Sequence, residues 1–293
     1  MSPGTGRRGR LWLLALPPAL YVFAFATMPL GLLLLYSFYR ADFVAIVKEP
    51  SLANYAAVLG SATYRGLMLK ALGYGVTVAA ITAVLAYPFA FFVAKRVRVL
   101  KAALLTLMLI PLYTGDLIRI FAWRVVLGAE GVLNSLLLWL GLIEEPIWAL
   151  LFSPTATLIV LTYNYLPFMV LALWASFEGL DRSYLEAAAD LGASRTQTFL
   201  RVVLPLTSPG LLAGFLMVLV LVAGDYLTPQ LVGGSSGVTV TSAIHDLFGA
   251  AFDWPMASAL AWVLLAVLAL TVILAVSLFH KSPLGRSLRR SVS

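Results

Sequence analysis

Two acidic residues stand inside otherwise apolar stretches, Asp116 after Gly115 and Asp225 after Gly224. Carboxylates on neighbouring helices are what an aspartyl protease needs, because two acids at close range share a proton and can activate water. The local pattern argues against that chemistry: Val222-Ala223-Gly224-Asp225 lacks the first Gly of G-x-G-D, and no Tyr-Asp pair occurs. Nucleophilic chemistry is equally unsupported. There is no Cys, and His245 and His280 fall in a loop and at a helix end, neither beside an embedded Ser. Asp116, Arg119 and Asp225 are therefore charges in an apolar setting, each costing about 2.5–3.5 kcal/mol on insertion scales unless it faces protein or water. Asp116 and Arg119 are three residues apart and can neutralise each other on one helical face. Alternatively, Asp116 lends negative potential to a cation path in which Tyr113 and Phe121 offer ring faces to ammonium groups. Asp225 lies about 20 residues beyond Pro205, which places it near the outer boundary. Tyr163, Tyr165 and Tyr226 either line such a path or anchor at the interface.

The elements that hold these residues follow from composition. With 61% apolar and 11% charged residues in 293, the chain has too little charge to coat a globule in water. Asp, Glu, Lys and Arg are absent from 11–39, 71–94, 146–177, 202–224 and 254–280, and each run can cross a bilayer. The expected fold is an all-α integral membrane protein with six transmembrane helices in one domain over 1–293. The predicted spans are 11–37, 68–94, 102–123, 149–175, 206–227 and 256–280. A soluble enzyme is excluded. The net charge of +7 does not indicate nucleic acid, because the basic residues cluster beside the spans. An even span number puts both termini on one side. With that side cytoplasmic, Arg7, Arg8, Arg10, Lys95, Arg96, Arg98, Lys101, Arg182, Arg195, Arg201, Lys281, Arg286, Arg289 and Arg290 are inside, fourteen of the twenty basic residues.

Arg7–Arg10 ahead of an apolar stretch resembles a signal peptide, but the stretch runs past a 7–15-residue h-region and fits an uncleaved span. Pro111, Gly115, Asp116 and Arg119 interrupt the third span, so a kink or short break is expected there. Between spans, 38–67 is long and mixed, Val132–Leu142 reads as an interfacial helix, and 228–255 reads as polar and flexible around Gly233-Gly234-Ser235-Ser236-Gly237. Asp253-Trp254-Pro255 opens the last span with a cap, an interfacial ring and a first-turn Pro.

The segment 181–205 is a built loop. Ser183 with Glu186 and Ser194 with Gln197 each have capping-box spacing, and Gly192 suits a left-handed helix end. Pro205 marks the start of the fifth span. Tyr184, Ala188, Leu191 and then Phe199, Val202, Val203, Leu206 give each helix an apolar stripe. Such an element either docks another protein across the small surface Ala187-Ala188-Ala189 or packs only on its own bundle.

Glu186-Ala187-Ala188, three residues, Gly192, nine residues, Val202, one residue, Leu204-Pro205 resembles the EAA loop of ABC-importer permeases, E-A-A-x3-G-x9-I-x-L-P, with Val for Ile. The resemblance implies the type I permease fold and a loop that inserts into a groove of an ATP-hydrolysing subunit. It gives Glu186, Ala187, Ala188, Gly192, Leu204 and Pro205 the coupling role; Glu186 caps its helix, touches the ATPase, or does both. Pro111–Trp123, Thr228–Gly234 and Asp253–Pro255 are also similar to the spermidine/putrescine class, Asp116 being a departure from its small uncharged residue. The implied function is transport of polyamines or a related small cationic amino compound by alternating access. Importers of opines, iron or aminophosphonates are the alternative, and an ion-coupled secondary carrier a weaker one. No G-x4-G-K-[ST] loop occurs, so no cofactor is expected on this chain and ATP falls to partners. Those partners are two ATP-binding subunits, a second permease of different sequence, an extracytoplasmic solute-binding protein and the bilayer of a bacterial inner membrane.

Overall fold

The computed structural model describes residues 5–42, 45–97 and 99–282. Arg98, Arg286, Arg289 and Arg290, which enter the charge count, lie outside the described residues. The chain forms two compact units, 1–62 with 244–265, and 63–243 with 266–293.

In the first unit, α1 (Thr5–Ser37) leads into a hairpin of β1 (Arg40–Asp42) and β2 (Ala45–Val47), paired antiparallel with Ala41 opposite Ile46, and then α2 (Ala53–Gly60). The buried amide of Asn54 donates to the carbonyls of Ser37 and Tyr39 at 3.0 and 2.8 Å, satisfying backbone groups that the end of α1 leaves open. The connection expected only to be mixed is therefore folded and hydrogen-bonded.

The second unit begins with α3 (Ala62–Lys95) and α4 (Lys101–Leu109). A 3₁₀ turn at Ile110–Tyr113 follows, then α5 (Asp116–Leu127) and α6 (Val132–Trp139). The third crossing is thus broken: Pro111 cannot continue the α-ladder, the chain tightens into 3₁₀ geometry, and a new helix starts at Asp116. Next come α7 (Pro154–Glu178), α8 (Arg182–Asp190), α9 (Arg195–Thr198), α10 (Leu204–Gly224), α11 (Leu227–Val232) and α12 (Val240–Gly249). Finally α13 (Trp254–Lys281) runs through both units.

Among the described residues, six helical stretches are long and apolar enough to cross a membrane: Leu16–Ser37, Ala62–Lys95, Asp116–Trp139, Pro154–Glu178, Arg195–Gly224 and Trp254–Lys281. Two starts are capped, the second as its sequence signal predicts. Ser153 accepts the N–H of Ala156 at 3.0 Å with Pro154 in the first turn, and Asp253 accepts that of Met256 at 3.0 Å ahead of Pro255.

The second unit is organised on α7, whose Val160, Leu161, Met169, Val170, Leu173 and Phe177 are fully buried. The α7–α10 contact is close because α10 lacks side chains where it meets α7. A Cβ on Gly210 would lie 2.3 Å from Ser176 Cβ, and one on Gly214 2.8 Å from Met169 Sδ. In lipid, where hydrocarbon gives helices no hydrophobic reason to associate, such backbone approach provides the dispersion contact.

The segment 228–255 departs from the flexible loop expected of it. It holds α11, a 3₁₀ turn at Gly234–Gly237 and α12. Lys70 of α3 donates to the carbonyls of Ser236 and Val238, and Thr241 donates to Ala223 O at 2.8 Å. The glycine-rich composition serves close backbone contacts, so glycine here reflects crowding and not looseness.

Candidate functional site: a polar cleft and a folded loop

Where α10 ends at Gly224, Asp225 turns extended and its carboxylate becomes a hub. Oδ1 accepts the N–H of Thr228 at 3.0 Å; Oδ2 accepts the Thr228 hydroxyl at 2.7 Å and the Tyr165 hydroxyl at 3.1 Å. The side-chain nitrogen of Asn164 donates to Thr228 Oγ1 at 3.4 Å, while its buried Oδ1 has no partner among the described residues. These groups line a cleft of about 430 Å³ shared with Asp116, Arg119, Phe168 and Tyr226.

Across the cleft, Arg119 of α5 forms an ion pair with Asp116, one turn away. Arg119 is 9% exposed and its Nε and Nη1 lack partners among the described residues, whereas the Asp116 side chain is 65% exposed. The two carboxylates and one guanidinium leave the lining with a formal charge of −1. Aromatic faces and an unsatisfied amide oxygen accompany that charge, a combination suited to a small ammonium-bearing solute.

The sequence-derived candidates divide accordingly. Asp116, Asp225, Tyr165 and Tyr226 meet at the cleft. Tyr113 is 88% exposed and Phe121 lies under the Arg124 guanidinium, 5.5 Å from its ring centroid; neither lines the cleft. Tyr163 packs edge-on against Trp123 at 5.3 Å and is also outside it. Tyr113 ends the 3₁₀ turn ahead of the break at Thr114-Gly115, while Phe121 lies on α5 five residues from Asp116, about 140° around the helix from it. Asn164 and Thr228 escaped the sequence reading; a polar amide inside an apolar span was the available signal for Asn164.

The loop 181–205 is folded by its own short-range bonds. Asp181, not Ser183, caps α8, accepting the N–H of Ser183 at 2.9 Å, so the expected Ser183–Glu186 box does not form. Asp181 starts the helix two residues earlier, leaving Ser183 inside the first turn. That bond holds the Asp181 carboxyl below the usual carboxylate range. Glu186 is consequently released to solvent, 3.7 Å from Arg182 Nε.

The end of α8 is a Schellman motif: Gly192, at φ +75°, donates to Ala189 O at 2.9 Å, and Ala193 donates to Ala188 O at 3.0 Å. Ser194 and Gln197 then form the full reciprocal capping box of α9. The chain does not stop at Pro205. Phe199–Val203 is a π-turn, with the N–H of Leu204 reaching Phe199 O, and joins α9 to α10 in one helical run. Pro205 has no N–H and its ring crowds the carbonyl four residues back, so a widened turn accommodates it without ending the helix. Ala188 is buried, while Ala187, Gly192 and Leu191 are exposed around a recess of about 420 Å³ that Tyr184 and Val202 also line.

Residues 86–282 match the family of binding-protein-dependent transport system inner membrane components. The chain belongs to that family. It is 39% identical over 238 residues to the spermidine/putrescine transport system permease protein PotB of Escherichia coli (strain K12), covering 81% of this chain and 86% of that one. It is 35% identical over 269 residues to PotB of Haemophilus influenzae, covering 92% and 91%. The inner membrane ABC transporter permease protein YdcU of Escherichia coli (strain K12) is 34% identical, covering 92% and 88%. Among solved structures, a bacterial ABC transporter involved in import of the acidic polysaccharide alginate superposes with a TM-score of 0.71 at 17% identity, covering 94% and 97%. The MetNI methionine ABC transporter in inward-facing form gives 0.52 at 11%, covering 75% and 98%.

The permease is thus a multi-pass membrane protein of the type I importer fold, working in a binding-protein-dependent system. Its EAA-like residues lie within the matched region, on the capped helices and recess described above. Its cargo does not follow from the fold, since the two solved relatives carry an acidic polysaccharide and methionine.

Proposed function

We propose that this permease subunit imports polyamines of the spermidine/putrescine kind, with the cleft around Asp225 forming part of its cation path. The observation that carries the cargo class is the similarity to permeases named for spermidine and putrescine over four-fifths to nine-tenths of the chain. The cleft supplies compatible chemistry. Asp225 and Asp116 provide the negative charge, Tyr165 and Tyr226 the rings, and Asn164 Oδ1 an open acceptor. Tyr113, Phe121 and Tyr163 fall away from the cleft, so any role of theirs lies elsewhere on the path.

In the same proposal, both termini and the loop 181–205 are cytoplasmic, which agrees with the distribution of Lys and Arg. Of two ATP-binding subunits, one docks on this loop; a second and different permease chain completes the path, and an extracytoplasmic solute-binding protein delivers the cargo. This chain binds no cofactor and hydrolyses nothing. ATP-driven closure of its partners moves α8 and α9 through Glu186, Ala187, Ala188 and Gly192. The unbroken helical run through Leu204 and Pro205 passes that motion to α10, whose far end carries Asp225.

The test is uptake of radiolabelled spermidine and putrescine by the native host with the gene deleted and restored. Loss and recovery of both supports the cargo. Unchanged polyamine uptake, with loss of uptake of another amino compound, overturns it.

A further inference from the structure

One face of α3 changes character along its length. Val84, Tyr87, Pro88 and Phe91 line a wholly apolar groove of about 520 Å³ that Phe199 and Leu204 close from the other side. On the same helical stripe, Phe91 continues to Ala94 and Lys95, which line a second cleft of about 700 Å³ together with Arg96, Lys101, Arg182 and Glu186. Phe91 belongs to both, so the two form one trough with an apolar length and a basic head. Its floor is stiff: Tyr87 and Phe91 pack edge-on against buried Phe177 at 5.1 and 5.5 Å, and Tyr87 against Phe199 at 5.6 Å. Twelve residues from Ala83 to Lys95 rise about 18 Å, roughly one leaflet of a 30 Å hydrocarbon core.

The cations are unequal. Lys95 donates to Leu180 O at 2.6 Å, Lys101 pairs with Glu178, and Arg182 stands 3.7 Å from Glu186. Arg96 makes no ion pair among the described residues. Four cations against Glu186 in the lining and Glu178, the partner of Lys101, leave an excess of two positive charges at the head of the trough.

We propose that this trough holds one anionic phospholipid, its phosphate beside Arg96 and its acyl chain along Val84, Tyr87 and Phe91. A free phosphate has no use for the apolar length, and a zwitterionic lipid none for the excess charge. The site does not rest on the cargo proposed above, and it shares Arg182 and Glu186 with the coupling loop. Because the trough joins α3 to α8 and to the π-turn before α10, its occupant braces the coupling loop against the bundle.

The experiment is native mass spectrometry of the full-length chain in mild detergent, titrated with phosphatidylglycerol or phosphatidylcholine of identical acyl chains. Phosphatidylglycerol is expected to bind more tightly. Arg96→Gln removes one headgroup contact and should weaken it about fivefold. Val84→Trp, at a position 73% exposed, should obstruct the groove and weaken it as well without disturbing the core. Equal binding of the two lipids overturns the proposal, as does binding that Val84→Trp leaves intact while glycerol phosphate competes it away, the mark of a simple anion site. In the assembled transporter, a photo-crosslinking residue at position 84 should capture phospholipid; capture of a protein subunit instead overturns it.

Discussion

The loop 181–205 and the Asp225 cleft are both built from polar groups in an apolar protein, yet they are built in opposite ways. Every bond that shapes the loop spans five residues or fewer: Asp181 to Ser183, Ala193 to Ala188, Ser194 to Gln197. The cleft draws Asp116, Asn164, Tyr165 and Asp225 from three helices, and the Tyr165–Asp225 bond alone spans 60 residues. A contiguous segment can carry its shape wherever it is presented, as a part that moves must. A convergent site exists only while α5, α7 and α10 hold one arrangement, so it is where a rearrangement of helices would be felt as a change in affinity.

The sharpest break of the comparison is Gly192→Pro. Proline requires φ near −65° where the chain adopts +75°, and it deletes the N–H that closes the Schellman motif. A cost of about 3 kcal/mol or more corresponds to a hundredfold or greater loss of ATP-dependent uptake. Membrane insertion, checked by extraction and protease protection, should be unchanged. Gly192→Ala keeps the N–H and should cost only about 1 kcal/mol, roughly fivefold. If Gly192→Pro transports normally, the loop does not couple.

Asp225 comes next, and here two variants separate charge from architecture. Asp225→Ala leaves the buried hydroxyls of Tyr165 and Thr228 and one N–H without an acceptor, at about 1–3 kcal/mol for each stranded group, and should lower both thermal stability and uptake. Asp225→Asn retains an acceptor oxygen. It should spare stability and weaken half-saturation for spermidine about tenfold, read from concentration-dependent uptake. Wild-type kinetics in Asp225→Asn would reduce the carboxylate to a helix cap for α11.

Asp116 carries a smaller effect because it is mostly exposed and screened, about 1 kcal/mol or fivefold. Asp116→Asn alone lowers uptake on either reading, so the informative variant is the double Asp116→Asn/Arg119→Gln. Recovery in the double variant identifies a structural pair whose breakage stranded Arg119. No recovery identifies Asp116 as a contributor to the cation path.

Sequence legibility follows the same division. Five of the six membrane helices could be read from charge-free runs, because lipid makes the length of an apolar stretch nearly sufficient; the third, expected at 102–123 despite Asp116 and Arg119, spans Asp116–Trp139 instead. In the loop, Gly192 and the Ser194–Gln197 box were legible because a short motif states its own hydrogen bonds. The Ser183–Glu186 box was misplaced because Asp181, an equally good cap two residues earlier, won the competition to begin α8. In the cleft, Asp116 and Asp225 were conspicuous as charges in apolar sequence and Asn164 stood out as an amide inside a span, but Thr228 declares its role only through neighbours in space. Tyr113 and Phe121 do not line this cleft: Tyr113 precedes the break at Thr114-Gly115, and Phe121 lies five residues from Asp116, about 140° around α5 from it.

The mildest variant tests how far the loop is a self-contained part. Ser194→Ala removes one half of the reciprocal box and should destabilise α9 by about 1 kcal/mol. Because α9 runs through the π-turn into α10 without a break, that loss should appear as faster hydrogen exchange confined to 194–203 and a modest fall in uptake, with half-saturation for spermidine unchanged. Protonation of the other cap should act similarly but only in acid. Asp181 titrates below its ordinary value in the folded loop, so its contribution is complete above that value and is lost as pH falls through the lowered one. Coupling should therefore not respond to this group between pH 5 and 8. A Ser194→Ala variant that shifted half-saturation would mean that the loop and the cleft are one cooperative structure, and the contrast between a local lever and a convergent site would have to be abandoned.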